Sequence, residues 1–381
     1  MFKTHHTHIT ATLAILALTT ACSDEPISSE SPAMDMSTEV ADMRALQDDM
    51  NTSPDPVDMQ DPTDMDTTPD PTDMSIEDMN TRPPIPGIVD PQCIDGQYNE
   101  QLPELVDISA QMNSYSPSNV RAFYESVLEL RYPMGAKLVK EAPNTQIDCV
   151  AAFTSNPFTA QEAFTDLNTI VHECGHVYDL GNSGFFDNHY AINMGLSFTC
   201  SDGDSTDRGG KTFARNRIAY DAFSVQRPYC DGFGPDCDFY ADTYLDGNPD
   251  DGDISASGDQ GYGSLLEESV QYVNSLATGY AFHDQYTNFQ SDRDGILTFL
   301  WYIGRYLHMA RTQYPEVYNF LVQDDCWRQA TLTVWGRGWL YLEATKGYDQ
   351  LGISDDAIEP LIKDPTILNE IELLRQAEGC N

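Results

Sequence analysis

The stretch TIVHECGHVYDL, residues 169–180, sets two histidines four residues apart, with a glutamate directly after the first. Just upstream, TAQEAFTDLNTIV places Glu162 three residues after Thr159. That is the spacing of a capping box, in which each side chain satisfies a free backbone N–H at a helix start. Phe164, Leu167, Val171, Cys174 and Tyr178 then recur at three- and four-residue steps, one apolar face of a helix. Gly181 stands where a left-handed cap would end it. The pattern predicts a helix over residues 159–180. On that helix His172 and His176 lie one turn apart on one side, and Glu173 is rotated by about 100° toward the flank. Imidazoles so placed can converge on one zinc ion, and the glutamate can take a proton from water that the zinc has acidified. Cys174 falls on the opposite, apolar side and reads as a core or disulfide residue. The plain alternative is two surface histidines on an amphipathic helix. With only 8 histidines in 381 residues, the spaced pair with its glutamate favours the metal.

HECGHVYD resembles the zinc helix of the zincin metallopeptidases. Gly175 and Asp179 give it the His-Glu-x-Gly-His-x-x-Asp form of the anthrax lethal factor and Pro-Pro endopeptidase group. The resemblance extends over this helix and one later helix. It implies an α+β, mostly helical domain with a zinc helix, a second ligand-bearing helix and a small sheet. It also implies zinc as cofactor, Glu173 as the base and a peptide or protein as substrate.

Catalytic zinc takes a third protein ligand and keeps a fourth position for water. Metzincins place that ligand six residues past the second histidine; here the position holds Asn182, so their pattern fails. His189, in FFDNHYAIN, is a candidate from a segment that reads as loop. The favoured source is GYGSLLEESVQYVNSLATGY, residues 261–280, where Leu266, Val270, Val273 and Ala277 have helical spacing. Glutamate-type zincins draw the third ligand from such a helix. In the lethal-factor group an acid four residues further on supports a histidine. Glu267 with Gln271 matches that offset, the amide replacing the acid as acceptor for an imidazole N–H. Glu268, followed at the same offset by Tyr272, is the alternative, and both could be plain helix acids. Tyr262 is the nearest candidate for stabilising an oxyanion; otherwise it is a packed aromatic.

Residues 1–21 read as an export signal, with Lys3 ahead of an apolar run too short to span a bilayer. LTTACS suits a bacterial lipoprotein signal, with a lipid on Cys22 and an outer-membrane location; cleavage near Ala21 and secretion is the alternative. Residues 22–90 repeat Asp, Met, Pro and Thr, with 18 acids against two arginines between residues 23 and 90. Such a segment cannot bury enough apolar surface to fold, and it reads as an acidic tether rather than a methionine metal trap. The formal net charge of −41 argues against nucleic acid, whose phosphates need a positive surface. Residues 91–381 are then the peptidase domain.

Eight cysteines follow Cys22, an even number that suggests disulfides in an exported domain. Spacing does not fix their connectivity. The expected pairs are Cys93–Cys149, Cys174–Cys200, Cys230–Cys237 and Cys326–Cys380. Asp246, Asn248, Asp250 and Asp253 make an oxygen-rich loop that could take calcium, although Asp251 replaces the turn glycine of an EF-hand. GAKLVKE and CVAAFTS are expected to supply two strands before the zinc helix. GILTFLWYIGRYLHMARTQYPEVYNFLV reads as helix broken at Pro315, and AIEPLIKDPTILNEIELLRQ as a closing helix. A non-catalytic surface lipoprotein with a structural or vestigial zinc site is the competing functional reading.

Overall fold

The computed structural model describes residues 85–87, 89–142, 148–230, 236–245 and 257–380. The signal, Cys22, nearly all of the tether and the calcium candidates lie outside these residues. In chain order the helices are α1 (Ile94–Gln97), α2 (Ser109–Ser114), α3 (Val120–Arg131), α4 (Pro133–Glu141), α5 (Cys149–Phe153) and α6 (Ala160–Asn182). An antiparallel hairpin follows, β1 (Asp187–Asn193) and β2 (Leu196–Ser201), with Asp187 opposite Ser201 and a register shift between Ala191 and Asn193. Then come α7 (Tyr240–Leu245), α8 (Tyr262–Phe282), α9 (Asp292–Gln313), α10 (Pro315–Gln323), α11 (Asp325–Ala344), α12 (Asp355–Ile362) and α13 (Pro365–Glu378). The fold is mostly helical, with a small open two-stranded sheet and four disulfides.

Helix α8 is the centre of the described fold. It packs against α6, α9 and α11, and nearly every side chain along it is buried. A helix enclosed on all sides needs apolar residues all round. The polar residues it does carry, Glu268, Ser269, Gln271, Asn274, Ser275 and Thr278, are buried as well, and each such group needs a partner. Two glycines permit the close crossings. A Cβ on Gly175 of α6 would lie 1.9 Å from Gln271 Oε1, and one on Gly295 of α9 would lie 2.1 Å from the Tyr272 ring.

The capping box at Thr159 and Glu162 forms as its spacing predicts, and the stripe from Phe164 to Tyr178 is buried. The helix does not stop at Gly181. It runs to Asn182, whose side chain donates to the Tyr178 carbonyl, while Ser183 Oγ donates to the Asp179 carbonyl. These side chains satisfy end carbonyls that a left-handed glycine would otherwise serve.

The two strands expected before α6 are helices instead. Pro133 opens α4 at a first-turn position, where its missing N–H costs nothing. Asp148 caps α5 by accepting from the Ala151 N–H. The sheet lies after α6, in the segment that read as loop around His189. The closing helix is two helices, α12 and α13, because Pro365 starts a new one and Asp364 caps it.

Of the expected disulfides only Cys230–Cys237 is present; the others are Cys93–Cys380, Cys149–Cys174 and Cys200–Cys326. The error is one of reach. Pairing by nearness in the chain ignores a fold that brings α1 against α11 and α13, where Arg375 also binds buried Asp95 at 2.7 Å. Cys93–Cys380 closes a separation of 287 residues. Removing both cysteines as Cys93→Ser/Cys380→Ser should destabilise the fold by about 2–4 kcal/mol, read as a lower urea midpoint. An unchanged midpoint would refute that role.

Candidate metal centre

His172 and His176 lie on α6 with ring centroids 4.7 Å apart, and both are nearly closed to solvent. Facing them from α8 is Glu268. Its Oε2 is 3.6 Å from His172 Nε2 and 3.4 Å from His176 Nε2. Among the described residues these three form a buried cluster whose ligand atoms all lie within 4.8 Å of one another. Glu268 Oε2 is buried and has no hydrogen-bond partner. A carboxylate oxygen so placed is costly unless something positive meets it. Two ligands about 2.1 Å from a tetrahedral zinc stand about 3.4 Å apart, close to the spacings found here. The donor set and its spacing therefore fit a divalent cation.

The imidazoles are held from behind. His172 Nδ1 pairs with Ser275 Oγ at 3.2 Å. Glu267 Oε2 lies 2.5 Å from His176 Nδ1, close but off the hydrogen-bond line. With its proton on Nδ1, each neutral ring would turn its Nε2 lone pair to the cluster, the usual arrangement of ligating histidines. Burial opposes a charge on His176, but Glu267 and Glu268 outweigh it and hold its pKa well above the ordinary value. Burial likewise opposes the charge on Glu268, yet the imidazoles hold its carboxyl below the usual range. The two carboxylates thus favour a proton on His176, which a bound cation would displace.

Both glutamates of the sequence expectation lie at the histidines, on different nitrogens. Glu268 joins the histidine pair, and Glu267 stands behind His176. The four-residue offset to Gln271 does mark a supporting interaction, but a different one. Gln271 touches neither imidazole; its Nε2 donates to Glu267 Oε1 at 3.2 Å and to Asp179 Oδ2 at 2.8 Å. Asp179 also accepts from the Ala191 N–H and pairs with His189 Nδ1 at 2.8 Å, so His189 anchors β1 to α6 rather than facing the cluster. Burial pushes the Asp179 carboxyl up to about 6. Asn182 is likewise a helix-end residue.

Glu173 is half-buried on the flank of α6. Desolvation raises its pKa, with the neighbouring imidazoles pulling the other way. Tyr262 is fully buried, with its hydroxyl on Thr331 Oγ1 at 2.8 Å and its ring against Trp327 and Tyr306. It is a packed aromatic. The tyrosine that does border the cluster is Tyr272, whose ring meets that of His172 edge-on at 4.6 Å and whose hydroxyl is 3.0 Å from that of Tyr244. Arg215, fully buried, lies over the Tyr244 ring. Ser275 could have been found in sequence, since it follows Glu268 by seven residues and so shares its helix face. Arg215 and Tyr244 come from segments without a readable period. No helix among the described residues is long and apolar enough to cross a membrane. No protein family, curated protein or solved structure matches the chain.

Proposed function

We propose that this chain is a zinc-dependent peptidase, with His172, His176 and Glu268 as the metal ligands and Glu173 as the general base. The observation that carries the reading is the convergence of two imidazole Nε2 atoms and an unpartnered carboxylate oxygen, with Glu173 on the same turn of α6. Bound zinc supplies a Lewis acid that polarises a carbonyl and acidifies water. The residues do the rest. Ser275 and Glu267 fix the two rings so that Nε2 faces inward. The Glu173 carboxylate takes a proton from the attacking water and returns it to the leaving amine. The Tyr272 ring walls one side of His172. Among the described residues three side chains converge, the ligand number of a catalytic site rather than of a closed structural one.

The same reading places the enzyme outside the cytoplasm, held by a lipid on Cys22 and spaced from an outer membrane by the acidic tether. Four disulfides support an oxidising compartment. Mass spectrometry of the mature N-terminus tests this part; an unmodified residue after cleavage removes the lipid anchor.

The activity is tested by digesting a peptide library with the zinc-loaded chain, with and without chelator. Cleavage that stops on chelation and returns with zinc is expected. Full zinc loading with no cleavage would leave the non-catalytic binding protein as the better description.

A further inference from the structure

Behind the histidines lies a buried hydrogen-bond chain whose direction is imposed from its far end. Asn274, on α8 and fully buried, donates from Nδ2 to Gln271 Oε1 at 2.9 Å. Its Oδ1 accepts from Arg337 Nη1 at 2.8 Å and from the Tyr132 hydroxyl at 3.0 Å. Arg337 comes from α11, is itself buried, and is anchored by Glu100 at 3.1 Å.

A guanidinium has only donors. Next to Arg337, Asn274 must present its oxygen, and so it presents its nitrogen to Gln271. Gln271 must then present its oxygen to Asn274 and its Nε2 to Asp179 and Glu267. Both carboxylates receive a donor, and the other Glu267 oxygen is left facing His176 Nδ1 at 2.5 Å, a charge contact rather than an aligned hydrogen bond. Turning Gln271 alone would set its oxygen against both carboxylates and its nitrogen against that of Asn274, and turning Asn274 alone would set its nitrogen against the guanidinium and its oxygen against that of Gln271, costly arrangements in a buried site.

We infer that Asn274 and Arg337 are positioning residues of the metal centre: the donor-only guanidinium orients the Asn274 and Gln271 amides, and through Glu267 they fix the His176 ring that presents Nε2. The inference rests on the metal-centre reading above.

The test is zinc affinity, measured on the full chain by competition with a chromophoric chelator, beside thermal stability. Asn274→Asp keeps the shape but removes the donor, so Gln271 is drawn round and its oxygen meets Glu267. Zinc binding should weaken about tenfold, the range typical of outer partners of metal-ligating histidines. Tyr132→Phe keeps the Arg337 donor and should bind within about twofold of wild type, by the same reasoning. Gln271→Glu reverses polarity one step nearer and should weaken binding too, which keeps the test open if Asn274→Asp does not fold. A folded Asn274→Asp or Gln271→Glu chain that melts lower yet binds zinc like wild type overturns the inference and leaves the network a packing device. A wild-type chain that takes up no zinc overturns the metal centre itself, and this inference with it.

Discussion

Glu268→Ala should strip the chain of zinc. Metal content is expected to fall from about one ion per chain to near none, with affinity lowered by more than about a hundredfold. Glu267→Ala should do less, about ten- to a hundredfold, because that residue stands behind His176 and not among the inward-facing atoms. The order of the two effects is the informative quantity. Both carboxylates are next to each other in sequence and both lie within 4 Å of a His176 nitrogen. They touch opposite nitrogens, however. Glu267 meets Nδ1, while Glu268 meets Nε2 of both rings. Helical rotation of about 100° per residue makes this division unavoidable, since neighbours cannot share a direction. Equilibrium dialysis followed by elemental analysis gives both numbers. The reverse order would return Glu267 to the ligand set and move Glu268 to support.

Glu173→Gln should separate binding from chemistry. The substitution keeps size and shape on a half-buried position and removes only the capacity to take a proton. Zinc content should be unchanged, and the turnover of a cleaved peptide should fall by about a hundred- to ten-thousandfold, the range for loss of a positioned general base. The fall should be in kcat, with KM little altered, because the carboxylate acts on the proton in flight. Full activity in that variant would remove Glu173 as the base. A parallel loss of zinc would instead mean that Glu173 holds the local structure of α6.

The histidine-bearing helix α6 was legible because its signals are local. Capping spacing, an apolar period and two histidines one turn apart all refer to neighbours in the chain. The second helix was legible for the same reason, down to the adjacent glutamates. What sequence could not supply was the rotation of α8 about its own axis. That rotation sets which of Glu267 and Glu268 faces the Nε2 atoms of both histidines, and it follows from what α8 packs against on its other sides, α9 and α11. The disulfides failed for a related reason: Cys93 and Cys380 meet only because remote segments are brought together. The misplaced strands show a third limit. GAKLVKE and CVAAFTS are short enough that period alone does not divide helix from strand, and the deciding features were Pro133 and the Asp148 cap.

Gly175 carries a consequence for how sequences of this type can vary. There is room at that position for a hydrogen and nothing larger, because the Gln271 amide occupies the space. Positions 175 and 271 are therefore one variable rather than two. Alanine at 175 alone should evict the amide, whereas alanine at 175 joined to a shorter residue at 271 should be better tolerated than the single changes suggest. A search for kin is better served by that correlated pair, riding with Glu-Glu-x-x-Gln on a second helix at any distance, than by the histidine motif alone.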